Sequence, residues 1–167
     1  NLLAAYATLR SIGIETKPMF DAWSRFTGVP GRLELVPNNR GLTVLVDYAH
    51  TETSLRAVLE TLKQNKQRII IVFGATGDRD TTKRPKMGRV VDELADIVVL
   101  TDDDTYTEPS ERIIGMVHSG INRPLGDAFQ IIPNREEAIS WALRKAQTGD
   151  IVLLAGKGCE TVQMTNK

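Results

Sequence analysis

The chain has 167 residues, 41% of them hydrophobic, so it can bury one substantial core and a single fold unit is expected. Its 21 lysines and arginines balance 21 aspartates and glutamates, which excludes the strong positive field typical of proteins that bind nucleic acid or anionic membranes. The longest apolar runs have only strand length, so we expect a cytoplasmic protein with no nucleic-acid or membrane partner.

Two short helices are predicted at the start of the chain, at residues 1–14 and 18–26. The first helical pattern starts at Asn1 itself, so we expect the chain to begin inside a longer protein. After Gly28 the sequence changes from helical to strand character. This change predicts a domain boundary that separates residues 1–28 from residues 29–167.

Strands and helices alternate after this boundary. Strands are predicted at residues 33–36, 42–47, 68–73, 97–100, 129–132 and 151–155, and helices at residues 53–63, 85–94, 110–119 and 135–146. The run Ile69-Ile70-Ile71-Val72 is apolar on both faces, as a sheet covered by helices on both sides requires. The pattern predicts an α/β fold, a doubly wound, Rossmann-like and mostly parallel sheet with helices on both faces, preceded by a short helical segment.

Ligands of such sheets bind beyond the carboxyl ends of the strands, where loops converge. The loops expected there are polar, charged or glycine-rich, and they span residues 47–51, 74–85, 101–108 and 156–160. Loop 74–85 combines glycines and cationic side chains ahead of a helix, which favours an anion site over a merely solvated loop. It is not a P-loop, because the order GxxxxGK[ST] is absent.

Loop 101–108 contains four acids, Asp102 to Asp104 and Glu108. Adjacent carboxylates repel one another unless a cation, such as an ammonium group or a metal, lies among them. The alternative is that they are partly exposed, with Glu108 and Ser110 serving the start of the next helix. The sequence leaves both interpretations open.

Four other residues have side chains capable of chemistry. Asp47 can accept hydrogen bonds from ribose hydroxyls and His50 can donate to a phosphate, although both are also typical of structural caps. The single cysteine, Cys159, excludes an internal disulfide and a multi-cysteine metal site, and no metal site is predicted. Because Cys159 lacks a companion histidine and asparagine, we do not expect a nucleophilic thiol. His118 lies in a predicted helix among apolar neighbours and is interpreted as structural.

Six motifs follow one another along the chain: Val29-Pro30-Gly31-Arg32-Leu33-Glu34, Asp47-Tyr48-Ala49-His50-Thr51, Gly77-Asp78-Arg79-Asp80, Lys83-Arg84-Pro85, Thr101-Asp102-Asp103 and Ala155-Gly156-Lys157-Gly158. In this order they resemble the C-terminal domain of the Mur ligases, and within that family the UDP-N-acetylmuramoyl-tripeptide synthetases. The resemblance covers essentially the whole chain. It implies that residues 1–28 are the last helices of a central ATPase domain.

The resemblance also implies an activity for the full-length protein. Such enzymes use ATP and Mg²⁺ to convert the carboxylate of a UDP-N-acetylmuramoyl-peptide into an acyl phosphate, which the amine of an amino acid then attacks. In that family the central domain carries the P-loop and a carbamoylated lysine, and neither is present in this sequence. The catalytic residues therefore stay unassigned, the chain alone is expected to be inactive, and a monomer is expected.

Site residues follow from the same resemblance, position by position. In the nucleotide site, Asn1 would approach adenine and Arg32 the phosphates. Asp47 and His50 would lie in the ribose and phosphate region. The amino-acid substrate would contact Arg84, Asp103, Asp104, Tyr106, Gly156 and Glu160. Arg84 would clamp a carboxylate, because a guanidinium fork donates two parallel hydrogen bonds to it.

This chain departs from the family at positions that bear on substrate identity. Members that add meso-diaminopimelate carry Asp-Asn-Pro-Arg where this chain has Asp103-Asp104-Thr105-Tyr106, so Tyr106 replaces the arginine for a second carboxylate. Asp104 and Glu160 without that arginine would attract a side-chain ammonium group, so lysine or ornithine is expected. The family's Gly-His-Glu has become Gly158-Cys159-Glu160, and Thr-Pro-Asp has become Thr51-Glu52-Thr53.

Two alternatives compete with this interpretation. A cyanophycin-synthetase-like or folylpolyglutamate-synthetase-like ligase domain shares the expected architecture but generally lacks the pairing of Gly-Asp-Arg-Asp with Lys-Arg-Pro. A stand-alone nucleotide- or amino-acid-binding module is the non-enzymatic alternative. A P-loop domain encoded immediately before Asn1 would favour the ligase, and a start codon there would favour the module.

Overall fold

The computed structural model describes residues 2–165. This part of the chain forms six helices and six strands, in the order α1 (Leu2–Ser11), α2 (Thr16–Trp23), β1 (Glu34–Val36), β2 (Thr43–Asp47), α3 (Glu52–Lys63), β3 (Ile69–Phe73), α4 (Lys83–Leu94), β4 (Ile97–Leu100), α5 (Ser110–His118), β5 (Phe129–Ile131), α6 (Arg135–Lys145) and β6 (Ile151–Ala155). The predicted order of elements is confirmed. Asn1, predicted to start the first helix, lies outside the described residues.

Two helices begin two residues earlier than predicted. The sequence assigned the starts of α2 and α4 to Pro18 and Pro85, but the helices start at Thr16 and Lys83. The first N–H groups of a helix have no partner within the helix, so a proline in the first turn costs no hydrogen bond. A proline therefore marks a first turn without fixing the first residue.

All six strands form one sheet, in the spatial order β1-β2-β6-β3-β4-β5. The five strands from β2 to β5 in this order pair in parallel, and only β1, at one edge, is antiparallel to its neighbour. Asp47 lies opposite Ala155, and Phe73 lies opposite Leu100. The carboxyl ends of β2, β6, β3 and β4 consequently lie side by side, and the loops that follow them share one edge of the sheet.

The central strand β3 shows why both faces of the sheet are covered. Ile69, Ile71 and Phe73 pack in a cluster with the apolar side chains of α3, α4 and α5. Ile70 and Val72 point to the opposite face and pack in a second cluster with α6. Successive side chains of a strand alternate between faces, so a continuous apolar run requires helices on both sides. The predicted doubly wound architecture is confirmed.

The two N-terminal helices lie apart from this core. No side chain of α1 is buried, and α2 buries only Met19. Trp23 of α2 contacts α1, because its ring centroid lies 6.1 Å from that of Tyr6, and within α2 it packs edge-on against Phe20 at 5.2 Å. No helix within residues 2–165 is long and apolar enough to cross a bilayer.

Helices α4 and α5 approach each other closely at Gly88. A Cβ atom added to Gly88 would lie 2.2 Å from the carbonyl oxygen of Val117, which is backbone and cannot rotate away. Gly115, on α5, has no atom within 4 Å of the same added carbon. The two glycines therefore have opposite roles, since Gly88 allows contact between helices and Gly115 only leaves a helix position without a side chain.

We expect Gly88→Ala to lower the free energy of unfolding by about 1–3 kcal/mol, because the added methyl group forces α4 and α5 apart. The matched control, Gly115→Ala, should raise it by about 0.5–1 kcal/mol, because alanine is the better helix former. Urea titrations of both variants measure the difference. Equal effects of the two substitutions would show that the close approach of the helices is unimportant.

Candidate functional site

The polar loops that follow β2, β3, β4 and β6 enclose a small hollow, here called the edge pocket. It is lined by Tyr48, His50, Thr76, Arg79, Lys83, Asp103, Asp104, Tyr106, Gly156 and Glu160, and its volume is about 170 Å³. Sites for drug-sized ligands usually enclose about 300–1,000 Å³. The edge pocket is therefore of a size for a ligand such as an amino acid and too small for a nucleotide.

The cationic wall of the edge pocket consists of Arg79, in the loop after β3, and Lys83, the first residue of α4. Lys83 Nζ donates a hydrogen bond to the carbonyl oxygen of His50 at 3.2 Å. Burial lowers the pKa of Lys83, and the nearby carboxylates of Asp80 and Asp103 oppose that shift. An incoming carboxylate would stabilise the charged form of Lys83 in the same way.

The glycines of this loop serve to pack it against the loop after β4. A Cβ atom at Gly74 would lie 2.4 Å from the carbonyl oxygen of Thr101, and one at Gly77 would lie 2.0 Å from that of Thr105. The backbone N–H of Gly77 donates to the carbonyl oxygen of Asp104 at 2.7 Å. That N–H is therefore already paired and does not face an anion.

Arg84 does not line the edge pocket. Its side chain is fully buried, and Nη1 and Nη2 donate to the two carboxylate oxygens of Glu108 at 2.7 and 2.6 Å. Nη2 also donates to the carbonyl oxygen of Thr76 at 3.1 Å. The prediction that Arg84 clamps the carboxylate of an amino acid is therefore wrong, because this guanidinium already has a buried anionic partner.

Glu108 completes this connection between the two loops. Its Oε2 accepts a hydrogen bond from the backbone N–H of Asp78 at 3.2 Å, in the loop that also contains Thr76. The hydrogen bonds from Arg84 are the main cause that lowers the pKa of Glu108 to about 2, and burial of the carboxylate opposes the shift. Glu108 is therefore ionised and paired throughout the neutral range.

Arg79 is held at the edge pocket by its neighbours. The carboxylate of Asp78 accepts hydrogen bonds from the backbone N–H and the hydroxyl of Thr107 at 2.9–3.0 Å. The guanidinium carbon of Arg79 lies 5.4 Å from the ring centroid of Tyr106. Both Asp78 and Tyr106 have positive φ, 51° and 49°, which turns the two loops sharply toward each other.

The acidic wall of the edge pocket consists of Asp103, Asp104 and Glu160. Lys157 Nζ lies 2.6 Å from Oδ1 of Asp104 and 3.5 Å from Oδ1 of Asp103. The cation that adjacent carboxylates require is thus supplied by the chain itself. Among the described residues no cluster of histidine, cysteine and acidic side chains is arranged to hold a metal ion.

The rest of the acidic loop fits the alternative interpretation. Asp102 accepts a hydrogen bond from the hydroxyl of Ser110, the first residue of α5. Glu108 is nearly buried and paired with Arg84. The four acids therefore divide into two at the edge pocket and two that organise the start of α5.

Of the residues predicted to contact a nucleotide, Asp47 has the clearest structural role. Its Oδ2 accepts the backbone N–H of Leu33 and its Oδ1 that of Ala49, both at 2.8 Å. Each oxygen keeps a second lone pair, so a contact with ribose stays a prediction. Arg32 is exposed, with its guanidinium carbon 4.6 Å from the ring centroid of Tyr48. Asn1 lies outside the described residues.

His50 presents an acceptor to the edge pocket. Its Nδ1 lies 2.8 Å from the carbonyl oxygen of Tyr48, which can only accept, so the neutral ring carries its proton on Nδ1. Nε2 is then an acceptor. The predicted role of His50 as a phosphate donor requires the doubly protonated ring.

Five of the six residues predicted for the amino-acid site line the edge pocket, namely Asp103, Asp104, Tyr106, Gly156 and Glu160. Their contact with a substrate stays a prediction. Sequence reasoning missed Arg79 and Lys83 as the cationic wall. Helical spacing could have excluded Arg84, because it shares a face of α4 with Met87 and Val91, both of which are buried.

A doubly wound sheet with a small charged pocket at its carboxyl edge is the architecture in which α/β domains bind small polar ligands. The family model described as Mur ligase, glutamate ligase domain matches residues 31–158. The chain therefore belongs to the Mur ligase family. This agrees with the resemblance deduced from the six sequence motifs.

Relatives within the family extend beyond this chain. It is 41% identical to "UDP-N-acetylmuramoyl-L-alanyl-D-glutamate--2,6-diaminopimelate ligase" of Geobacillus thermodenitrificans over 165 residues, and 41% identical to that of Clostridioides difficile over 169 residues. The matches cover 98% and 100% of this chain and 34% of each relative. The chain thus spans about a third of the length of these relatives.

Solved structures show the same relationship. A structure of a diaminopimelate ligase of the same name superposes with a TM-score of 0.74 at 36% identity, over 98% of this chain and 32% of that one. A bifunctional folylpolyglutamate synthase/dihydrofolate synthase from Yersinia pestis, complexed with AMPPNP and Mn ion, has a TM-score of 0.70 at 18% identity, over 92% of this chain and 35% of that one. At that identity the second match shows a common fold alone.

We expect Arg84→Met to lower the free energy of unfolding at pH 7 by about 3–5 kcal/mol, because it removes the buried partner of the Glu108 carboxylate and leaves only the backbone N–H of Asp78 and the exposed Arg112 beside it. The loss should shrink as the pH falls from about 4.5 toward 2. In the wild-type fold the pKa of Glu108 is about 2, whereas its ordinary value in the unfolded chain is 4.5. The ion pair therefore contributes its full stabilisation above pH 4.5, and this contribution is lost as the pH falls toward 2. Urea titrations between pH 7 and pH 3 measure both effects.

Two variants control for this prediction. Arg56→Met removes an exposed pair with Glu93, whose side chains are 36% and 55% exposed, and should have a much smaller effect. Arg84→Met combined with Glu108→Leu should recover most of the lost stability, because no buried charge remains. Equal losses for Arg84→Met and Arg56→Met would contradict a special role of the buried pair.

Proposed function

We propose that this chain is the C-terminal, amino-acid-binding domain of an ATP-dependent amide-forming ligase that adds an amino acid to a UDP-N-acetylmuramoyl-peptide. The observation that carries the proposal is the edge pocket, which opposes a cationic wall to an acidic wall in a domain similar over its whole length to diaminopimelate ligases. A free amino acid carries both a carboxylate and an ammonium group. A pocket with walls of opposite charge complements it.

In this proposal Arg79 and Lys83 bind the α-carboxylate of the amino acid. A guanidinium and an ammonium group together neutralise a carboxylate and orient it through several hydrogen bonds. The amine then attacks the carbonyl carbon of an acyl phosphate, the C–N bond forms, the C–O bond to phosphate breaks, and the amine loses a proton. The contribution of this domain is to hold the amine in the orientation for attack.

The proposed nucleotide site lies beside the edge pocket. Arg32 lines two neighbouring hollows, one shared with Tyr48 and Glu160 and the other with the start of α1. Such an exposed guanidinium suits the phosphates of ATP, and the ribose is assigned to Asp47 and His50. ATP and Mg²⁺ would be bound mainly by a preceding domain, because the sequence lacks a P-loop.

We propose that residues 1–28 belong structurally to that preceding domain and that residues 29–167 form the C-terminal one. Leu2, Leu3, Phe26 and Val29 are more than half exposed and line one hollow. Apolar side chains grouped in this way are typical of a surface that another unit covers.

The use of ATP and a UDP-linked peptide fits a cytoplasmic enzyme. A single chain forms the whole edge pocket, which fits a monomer.

For the amino acid itself we propose lysine or ornithine. The acidic wall has three carboxylates, Asp103, Asp104 and Glu160. Lys157 pairs with both aspartates, Arg135 interacts with all three carboxylates, and Lys83, assigned above to the α-carboxylate of the substrate, also interacts with Asp103. With Lys83 neutralised by that α-carboxylate, three carboxylates against Lys157 and Arg135 leave one negative charge, which favours a side-chain ammonium group. Tyr106 offers no positive charge to a second carboxylate. The relatives named for 2,6-diaminopimelate make that amino acid the competing candidate.

We expect Arg79→Ala in the full-length ligase to raise the Michaelis constant for the amino acid about tenfold to a hundredfold and to leave that for ATP unchanged. The reason is the loss of a charge-assisted hydrogen bond to the α-carboxylate. Steady-state release of ADP measures both constants. Arg89→Ala, on the exposed side of α4, is the matched control and should change neither.

The isolated 167-residue chain is a further control and should release no ADP. Amino-acid-dependent ADP release by this chain alone would contradict the assignment of ATP binding to a preceding domain.

For the Arg79→Ala variant, an unchanged Michaelis constant for the amino acid would show that Arg79 does not bind the substrate.

In a competition assay, the full-length enzyme should prefer lysine or ornithine to alanine and to meso-diaminopimelate by about tenfold or more. Each charge-assisted hydrogen bond to the acidic wall contributes about 1.5–3 kcal/mol, and a second carboxylate would meet no free arginine. Mass spectrometry of the product identifies the amino acid that is added. Preference for diaminopimelate would instead assign this protein the specificity for which its relatives are named.

A further inference from the structure

Lys157 occupies a position that the proposed reaction does not use directly. Its ammonium group lies between Asp103 and Asp104, and the three side chains are only 15%, 3% and 18% exposed. Surface ion pairs are screened by water, but charges this deeply enclosed interact strongly. The charge of Lys157 therefore acts strongly on Asp103 and Asp104, two of the three carboxylates of the acidic wall.

The backbone on either side of Lys157 fixes its side chain in this position. Gly156 has a φ of 97°, and a Cβ atom there would lie 2.8 Å from Oδ2 of Asp103. On the other side, a Cβ atom at Gly158 would lie 3.2 Å from the backbone of Gly31. The loop after β6 thus lies in close contact with Asp103 on one side and with the segment before β1 on the other, which keeps the ammonium group of Lys157 beside the two carboxylates.

The acidic loop depends on the same carboxylates for its shape. Oδ1 of Asp104 accepts both Lys157 Nζ and the backbone N–H of Met164, at 2.6 and 2.8 Å. The backbone N–H of Asp104 in turn donates to Oδ1 of Asp103 at 2.7 Å. The two carboxylates are anchored by backbone groups as well as by Lys157, so removing its charge changes the electrostatics of the wall more than its geometry.

We propose that Lys157 is a specificity-determining residue, which screens the acidic wall and sets how strongly the edge pocket selects a side-chain ammonium group. This inference rests on the proposed function. With Lys157 present, and with Lys83 engaged by the α-carboxylate of the substrate, three carboxylates face two cations, Lys157 and Arg135. Without Lys157 the three carboxylates face Arg135 alone. The side-chain ammonium group of the substrate then binds the carboxylates that Lys157 no longer neutralises. The amino acid would then compete with the protein's own lysine for the same carboxylates.

The test compares kcat/KM for lysine and for alanine in the full-length ligase. Lys157→Met keeps the length of the side chain and removes its charge, so the ratio of lysine to alanine should rise about tenfold to a hundredfold, through KM for lysine. Asp104→Asn frees the charge of Lys157 and should lower the ratio. Lys157→Arg should keep it near the wild-type value.

The control is Lys145→Met, which removes a lysine paired with Asp127 on the surface and should leave the ratio unchanged. A purely structural role of Lys157 would reduce kcat/KM for both amino acids alike. A ratio of lysine to alanine that stays at the wild-type value in Lys157→Met overturns the inference. If Lys157→Met does not fold, Lys157→Gln, which lacks the charge but keeps hydrogen-bond donors for Asp104, is measured in its place and the same outcomes decide.

The failure of the proposed function would look different. In that case the wild-type enzyme would release no ADP with any amino acid, whichever residue stands at position 157. Calorimetric titration of lysine and alanine into the full-length protein then tests Lys157 without turnover. Tighter binding of lysine to Lys157→Met than to wild type supports the inference, and equal binding overturns it.

Discussion

The buried ion pair between Arg84 and Glu108 is the interaction on which the edge pocket depends. Arg84 lies in the first turn of α4 and Glu108 lies just before α5, so the pair ties the loop after β3 to the loop after β4. Arg84 also donates a hydrogen bond to the carbonyl oxygen of Thr76, which lines the pocket, and Glu108 accepts one from the backbone N–H of Asp78. Separating the loops would leave one charge buried without a partner, which costs more than a surface contact.

Close packing of these loops explains why a strongly charged pocket can remain small. Gly74 and Gly77 let the two loops touch through their backbones, and Lys157 neutralises part of the acidic wall from within the chain. A ligand therefore meets charges that the protein has already partly compensated. The choice between ligands of different charge then depends on the small net charge of each wall, because every charged side chain in the pocket is partly neutralised by a neighbour of opposite charge.

The comparisons separate what the fold provides from what the site provides. A folylpolyglutamate synthase shares the fold at 18% identity, so the doubly wound sheet alone does not define the substrate. The similarity to diaminopimelate ligases extends over the whole chain at 41% identity. Even so, the edge pocket has Tyr106 at the position where the sequence motif of such enzymes leads one to expect an arginine. Differences at the loops of one sheet edge can change the ligand without changing the sheet, because the core residues lie behind them.

The sequence by itself determined the order of helices and strands and the edge where the pocket lies, because apolar periodicity and the positions of proline and glycine act locally. The direction of a charged side chain was decided only by the tertiary structure: Arg84 points into the core and Arg79, five residues earlier, lines the pocket. Lys157 meets Asp104, 53 positions away, because β6 lies inside the sheet between β2 and β3. Strand order depends on how all the helices pack together, and no local pattern in the sequence encodes it.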